Sequence, residues 1–327
     1  MNNQYALLYA WSPVIGGVVT FLVIFIMLRF SLFAHIQDIP NSRSLHDRPI
    51  PRVGGIALML GIFTGWSQLN QNDTLWLYAV GVALMLLSML DDIKDLPAKW
   101  RLFGHLIGAV GFVSFGLLQV PLYFFVTLVV ALVWMINLYN FMDGANGLAG
   151  GMAAIGFSFY ALAAAFGGDM NFALTSLIIV GSSIAFLMFN FGKAKVFMGD
   201  AGSIPLGFLS GAIGLIGWQK GLWPIWFPGV IFSSFIIDAT VTLFKRLLRG
   251  ERFWEAHREH YYQRLIQMGW SHKRMAFVEY ILMSASGFIA MLALHQSTSF
   301  VLGMLAVCLT TKLALMLLVD QRWNRLG

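Results

Sequence analysis

Eleven apolar stretches, each about as long as a helix needs to cross a bilayer, follow one another with short breaks along this 327-residue chain. They lie near 5–33, 53–70, 74–90, 101–119, 121–139, 147–166, 171–189, 203–218, 222–244, 275–294 and 298–319. Lipid offers no partner to a bare amide, so runs that are apolar on every side must close their own backbone hydrogen bonds as helices. The predicted fold is therefore an all-α polytopic membrane protein of eleven spans. Helices inserted together form one bundle, so residues 1–327 are expected to be a single transmembrane catalytic domain. With 58% hydrophobic and 11% charged residues, the chain falls outside soluble globular classes. The first stretch has no basic leader and is too long for a signal-peptide core, which makes it a retained span. The single cysteine, Cys308, lies in an apolar run, so neither a disulfide framework nor a thiolate metal site is expected.

The net charge of +6 would suggest nucleic acid if it were spread evenly. It is not. With alternating spans, 34–52, 91–100, 140–146, 190–202, 245–274 and the tail from 320 share one face. Nineteen of the 21 Lys and Arg residues belong there, counting Arg29 and Arg101 at helix ends. The positive-inside rule makes that face cytoplasmic, with the N-terminus periplasmic and the C-terminus cytoplasmic. A multi-pass protein of a bacterial inner membrane follows, with no nucleic-acid partner. Lys220 is expected in an outer loop. Lys312, within the last span, is expected to snorkel inward. Asp238 and Glu279, one or two turns inside their spans, should pair with the basic loop between them. His105 should be a hydrogen-bonded packing residue.

The inner loops carry the unusual chemistry. Asp91-Asp92-Ile93-Lys94-Asp95-Leu96-Pro97-Ala98-Lys99-Trp100-Arg101 opens with adjacent carboxylates at a membrane boundary, where ionised acids need a metal or a cationic partner. In the loop 34–52, Arg48 and Arg52 flank prolines ahead of Gly54-Gly55, and basic residues at a helix start form an anion site. Segment 137–151 has no Lys or Arg, yet Asn137, Asn140 and Asp143 recur every third residue. A helical turn would bring their oxygens to one face, as a nucleoside or hydrated divalent cation requires. In 190–203, Asp200 sits between Gly199 and a Gly-rich helix start, five residues after Lys195. A carboxylate for Mg²⁺ beside a lysine for phosphate is common in phosphoryl transfer, although N-capping would also suit Asp200. In 245–274, His257, Arg258 and His260 read as a cationic wall for pyrophosphate. The absence of a third soft ligand argues against zinc.

Taken in order, Asp-Asp-Ile-Lys-Asp-Leu-Pro (91–97), Asn-Phe-Met-Asp-Gly (140–144), Val-Phe-Met-Gly-Asp-Ala-Gly-Ser (196–203) and His-Arg-Glu-His (257–260) resemble the motifs of one family. This is the polyprenyl-phosphate N-acetylhexosamine-1-phosphate transferases, or glycosyltransferase family 4. The resemblance implies transfer of a sugar 1-phosphate from a UDP-N-acetylhexosamine to undecaprenyl phosphate, yielding undecaprenyl-diphosphate-sugar and UMP. It implies Mg²⁺ as cofactor, with Mn²⁺ as its substitute. By position, Asp91, Asp92 and His257 resemble the catalytic residues, and Asp200 with Asp92 the metal ligands. Asn140, Asp143, Lys99, Lys195, Arg48, Arg52, Arg258 and His260 resemble the substrate-binding set. Asn146 stands where many relatives have an acid. The His-Arg-Glu-His-Tyr-Tyr-Gln form is closer to the O-antigen-initiating branch than to the phospho-MurNAc-pentapeptide translocase.

The chemistry of the loops agrees with that expectation. A phosphate monoester attacking a UDP-sugar brings two polyanions together, which calls for a divalent cation and fixed cationic donors. A lipid-borne phosphate is confined to the interface, where the acids lie at helix ends. An aspartyl-phosphate route through Asp91 or Asp92 remains open beside direct attack. A transporter is the rival class, but it would place ionisable groups near the midplane of an inverted repeat. The same chemistry in peptidoglycan or teichoic acid synthesis is a second alternative. A homodimer is compatible with a chain of this kind.

Overall fold

The computed structural model describes residues 9–32, 36–40, 48–69, 75–94, 96–117, 120–252 and 257–325. These residues are almost entirely helical, and each apolar stretch read from the sequence falls on helix. The helices are α1 (Ser12–Arg29), α2 (Gly54–Trp66), α3 (Leu75–Lys94), α4 (Ala98–Phe115), α5 (Leu122–Phe141), α6 (Leu148–Phe166) and α7 (Met170–Asn190). They continue as α8 (Asp200–Gln219), α9 (Phe227–Ile231), α10 (Ser233–Leu248), α11 (Tyr261–Gln267), α12 (His272–Ala293) and α13 (Thr298–Trp323). Eight of them are long and apolar enough to cross a membrane: α1, α3, α5, α6, α7, α8, α12 and α13. The protein is a polytopic membrane protein.

Three of the expected spans are not among these eight, and the fourth of the eleven, α4, carries Lys99 and Arg101 in its first turn. The second, α2, is only 13 residues long. The ninth, expected as one helix over 222–244, is broken at Phe232 into α9 and α10. Ser233 Oγ donates to the Val230 carbonyl (2.5 Å) at the break, occupying an acceptor that a continuous helix would have bonded through its backbone.

Helix α8 is the axis of the bundle, with 83% of its span enclosed by protein, against 11% for α13. It is lined by α2, α3 and α5, while α6 and α7 form the largest helix pair and carry α1 and α12 on their flanks. Small residues along α8 allow this crowding, since close backbone approach supplies packing where lipid supplies no hydrophobic drive. The closest approach lies at its start. A Cβ on Gly55 would lie 2.3 Å from the Gly202 nitrogen, and one on Gly202 would lie 2.5 Å from the Gly55 Cα.

That approach fixes the first inner loop to the fourth. A two-residue antiparallel ladder pairs β1 (Gln37–Asp38) with β2 (Ile50–Pro51). Beyond it, Phe197 N–H donates to Pro51 O (2.8 Å), Gly54 N–H to Phe197 O (2.9 Å) and Gly55 N–H to Met198 O (2.9 Å). These bonds satisfy the first amides of α2, which would otherwise be orphaned. They also draw Arg52 to the Asp200 end of α8.

Candidate active site

The acids gather where α3, α5 and α8 end or begin. Asp91 closes its own turn: Oδ1 accepts from the Leu96 amide (2.8 Å), and Oδ2 faces Arg101 Nη1 (3.1 Å). Pro97 stops α3 from continuing and reverses the chain, so the first turn of α4 returns Arg101 to the helix it has just left. The same nitrogen reaches Asp200 Oδ2 (3.4 Å), making Arg101 a bridge between two loops. Asn140, in the last turn of α5, donates through Nδ2 to Asp200 Oδ1 (2.8 Å) and to Ser203 Oγ (3.0 Å). Asp200 is the first residue of α8, preceded by Gly199 at φ 68°, a left-handed conformation that only glycine adopts cheaply. Asp92 lies within electrostatic reach of Asp200, Asp91, Arg52 and Arg101, and its carboxylate makes no hydrogen bond to the described residues. Asp143 lies just past α5. Burial and the charge of Asp200 push its carboxyl well above the usual carboxylate range, against the opposing pull of Arg52 and the Gly199 amide. Asp91, Asp92, Asn140, Asp143, Asp200 and Arg52 thus form one cluster.

The fit of a divalent cation follows from the donors. They are hard oxygens, as Mg²⁺ prefers. Among the described residues no three acids or imidazoles stand close enough to ligate one ion together. Mg²⁺ usually keeps several waters and takes only one or two carboxylates, so this arrangement suits it and does not suit zinc.

The histidine motif is built differently from expectation. His260 is buried, with Nδ1 3.3 Å from Asp238 Oδ1, and its ring stacks on Phe141 with centroids 6.2 Å apart. Asp238 also accepts from the amides of Tyr261 (2.9 Å) and Tyr262 (3.1 Å), which start α11. Its partners are therefore backbone amides and a histidine of the loop, with the Thr242 hydroxyl (3.1 Å), and not the loop's Lys and Arg side chains. Tyr262 Oη then donates to Phe141 O (3.0 Å), which anchors α11 to the Asn140–Asp143 turn. Of the expected cationic wall of His257, Arg258 and His260, His260 is thus taken up by Asp238, and the other bases of the loop neutralise acids. Arg246 pairs with Glu251 (2.8 Å) and Glu259, Arg249 with Glu251 (2.6 Å) and Glu259, and Arg264 and Lys245 with Asp320 (2.8 and 2.5 Å). Four bases and two acids of the loop, with Asp320 from the end of α13, have become a lattice holding the loop. Outside it, Arg258 is exposed and His257 is partly buried.

Other expectations also change. Lys99 is exposed with Nζ 5.8 Å from the Trp100 ring centre, and Lys195 is exposed; neither is paired with the acid cluster among the described residues. Arg48 is exposed, whereas Arg52 pairs with Asp38 (2.8 Å) beside the cluster. Lys312 does not snorkel: it is buried and donates to Ser233 Oγ (2.8 Å) and Ser234 Oγ (2.9 Å). Glu279 faces Lys312 and Ser234, not the basic loop. His105 is a buried packing residue beside Asn137, with no strict hydrogen bond on either ring nitrogen. Asn146 braces loops, donating to Gly192 O (2.8 Å). Arg101 is the participant that sequence reasoning counted only as topology. The Asp91–Pro97–Arg101 spacing, a turn between two helix ends, was the available signal. Phe253, Trp254 and Asp95, part of the charged and aromatic loop readings, lie outside the described residues.

His257 yields a measurable prediction. Burial first, then the His260 ring and the Arg246 charge, lower it from 6.5 to about 4. Its Nδ1 accepts from the Glu259 amide (3.3 Å), which leaves Nε2–H as the donor of a neutral ring. Because the folded value is depressed, an unfolded chain gains a proton first as pH falls. The contribution of His257 to stability is constant above about 6.5 and declines toward 4. A histidine-labelled NMR titration of the ligand-free protein should show an imidazole resonance still neutral at pH 5.5 that is lost in His257→Gln. An ordinary titration midpoint near 6.5 would refute the placement.

The comparisons agree with this geometry. The model of glycosyl transferase family 4 matches residues 74–217, which span the Asp91–Asp92, Asn140–Asp143 and Asp200 segments. A probable undecaprenyl-phosphate N-acetylglucosaminyl 1-phosphate transferase of Bacillus subtilis is 32% identical over 278 residues, covering 79% of this chain and 77% of that protein. A decaprenyl-phosphate N-acetylglucosaminephosphotransferase of Mycolicibacterium smegmatis is 26% identical over 326 residues, 85% of this chain and 79% of that protein. An undecaprenyl-phosphate alpha-N-acetylglucosaminyl 1-phosphate transferase of Escherichia coli K12 is 28% identical over 291 residues, 79% and 76% of the two chains. The chain belongs to glycosyl transferase family 4, among the polyprenyl-phosphate N-acetylhexosamine-1-phosphate transferases.

Proposed function

We propose that the protein transfers N-acetylglucosamine 1-phosphate from UDP-N-acetylglucosamine to undecaprenyl phosphate at the cytoplasmic face of a bacterial inner membrane. The observation that carries this reading is the convergence of Asp92, Asn140, Asp143 and Asp200 from separate loops at one end of the bundle, in a chain whose relatives bear polyprenyl-phosphate transferase names. The sugar is chosen because those names all print N-acetylglucosamine. Start of O-antigen or a related surface polymer is the role the His257–Gln263 sequence supports.

In this reading an oxygen of the lipid phosphate forms a bond to the β-phosphorus of the donor. The bond from that phosphorus to the bridging oxygen breaks, and UMP leaves with the bridging oxygen. Bound Mg²⁺, held by Asp200 and Asp92, would offset the charge on the diphosphate and on the leaving UMP. Asp91 has both oxygens committed, to the Leu96 amide and to Arg101, so its part is to hold the turn and the guanidinium. Asp92 has uncommitted oxygens and takes the place beside the lipid phosphate. Arg101 and Arg52 supply fixed positive charge, and His257 supplies a neutral N–H to a phosphoryl oxygen. The phosphate chain of the acceptor enters already deprotonated at neutral pH and above, so direct attack needs no strong base.

Purified protein with undecaprenyl phosphate, Mg²⁺ and a panel of UDP-N-acetylhexosamines should release UMP with the N-acetylglucosamine donor, and chelation should stop it. Absence of UMP release with every donor would sink the reading. Exchange of labelled UMP into UDP-sugar without acceptor would instead replace direct attack by a covalent intermediate on Asp92.

Eleven crossings with a periplasmic N-terminus are part of the same proposal, supported by the charge bias and by one helix or helix pair per apolar stretch. In a Cys308→Ser background, a cysteine at 220 should label from outside intact cells, and one at 193 only after permeabilisation. Outside labelling at 193 would contradict a cytoplasmic site.

A further inference from the structure

A cavity of the bundle lies apart from the lining of the acid cluster. A partly open space of about 530 Å³ lies between α10, α11, α12 and α13, and none of Asp91, Asp92, Asn140, Asp143 or Asp200 lines it. The volume is that of a ligand pocket, roughly 300–1,000 Å³. Its walls are apolar, with Leu265, Leu282, Leu315 and Val319 among them, and Trp270 stands near its edge. Arg274 stacks 4.1 Å from the Trp270 ring centre, the kind of aromatic–cation pair found at a membrane–water boundary. One flank is open where Leu315 and Leu318 are exposed, on the helix with only 11% of its span enclosed by protein.

Charge distinguishes the mouth from the floor. The Asp238 carboxylate is taken up by two amides and His260, and Glu279 faces Lys312, whose ammonium is held by Ser233 and Ser234. The interior is therefore neutralised. At the end of α13, Arg322 and Arg325 also line the cavity and make no side-chain bond to the described residues. An apolar chamber open to lipid, with two uncompensated guanidiniums at its interfacial end, suits a molecule with a hydrocarbon chain and an anionic head.

We propose that this cavity binds one anionic glycerophospholipid, an acyl chain against the α12–α13 wall and its phosphate at Arg322 and Arg325. The acceptor lipid is the competing occupant: a phosphate held at Arg322 and Arg325 would not lie on the acids of the cluster, none of which lines the cavity. The bound lipid braces α11, since Tyr261 lines the cavity while its amide is held by Asp238 and its hydroxyl by Asp320.

Native mass spectrometry of the detergent-purified full chain tests this without reference to turnover. Offered phosphatidylglycerol or phosphatidylcholine, the wild type should retain one phosphatidylglycerol per chain with at least tenfold preference. Arg322→Gln with Arg325→Gln should reduce the preference below threefold. Leu282→Trp, which fills the chamber, should abolish retention while the protein elutes intact; where it does not, Leu282→Phe carries the same comparison. A photoactivatable acyl chain should crosslink to peptides containing Leu282 or Leu315. Undiminished retention in the filled variant, crosslinks elsewhere, or stoichiometric displacement by undecaprenyl phosphate would each overturn the assignment, the last by giving the chamber to the acceptor.

Discussion

Asp200→Asn should lower turnover by roughly 10²–10³-fold, the usual loss on removing one charge that stabilises a transition state, while leaving the fold intact. The carboxylate is 26% exposed at the first residue of α8, so its pairing with Arg101 adds little to stability. An asparagine there still offers Oδ1 to Asn140, so the bond that ties α5 to α8 survives. What disappears is the negative charge at the point where Asn140, Arg101, Asp92 and Asp143 converge. Helix capping does not confuse the result, because the N-cap is Gly199 and no side chain caps the start of α8. Turnover near that of the wild type, with unchanged Mg²⁺ dependence, would show that Asp200 only starts a helix. Thermal denaturation in detergent, run beside the UMP assay, distinguishes lost chemistry from lost protein.

The second large effect should come from a single methyl group on a residue outside the acid cluster. In Gly55→Ala the new Cβ would lie 2.3 Å from the Gly202 nitrogen and 2.6 Å from the Met198 carbonyl. Both obstacles are backbone, so no rotamer change can make room. Separating α2 from α8 costs about 1–3 kcal/mol for overpacking, and each strained interloop hydrogen bond adds about 1 kcal/mol. It also shifts Arg52 away from Asp92 and Asp143. The half-life of activity on warming should fall at least tenfold, and initial turnover should drop with it. Gly111→Ala is the control, since nothing lies within 4 Å of its Cβ. Equal behaviour of the two variants would mean that α2 and α8 do not need this contact.

Helix positions were legible in the sequence because a lipid solvent allows few alternatives for an apolar stretch of about 20 residues. The break at Phe232 was not, because composition stays apolar through 222–244 and only the bonding of Ser233 marks it. The site acids were legible as isolated loops: Asp91–Asp92 at a span end, Asn140 and Asp143 in a loop without bases, Asp200 among glycines. Their partners were not. Which base meets which acid depends on helix packing, so Arg101 bridges Asp91 and Asp200 while the nearer Lys99 faces solvent. The 245–264 segment looked cationic because a one-dimensional reading counts charges before they pair. Folded, Glu251, Glu259 and Asp320 absorb Arg246, Arg249, Arg264 and Lys245. Asp238 and Lys312 were misread for a related reason: a buried acid can be satisfied by amides and a buried ammonium by hydroxyls, and neither partner carries a formal charge.

The bonds that join Pro51, Gly54 and Gly55 to Phe197 and Met198 also govern when the site can exist. On a ribosome, segment 50–55 is made long before its partners, by an interval on the order of 10 s at ordinary elongation rates. Until α8 is inserted, the first amides of α2 must be served by water or by the translocation machinery, and Arg52 has no cluster to join. A nascent chain that stops before residue 197 therefore already carries Asp91, Asp92, Asn140 and Asp143, yet it lacks the strand-like seam that gathers them.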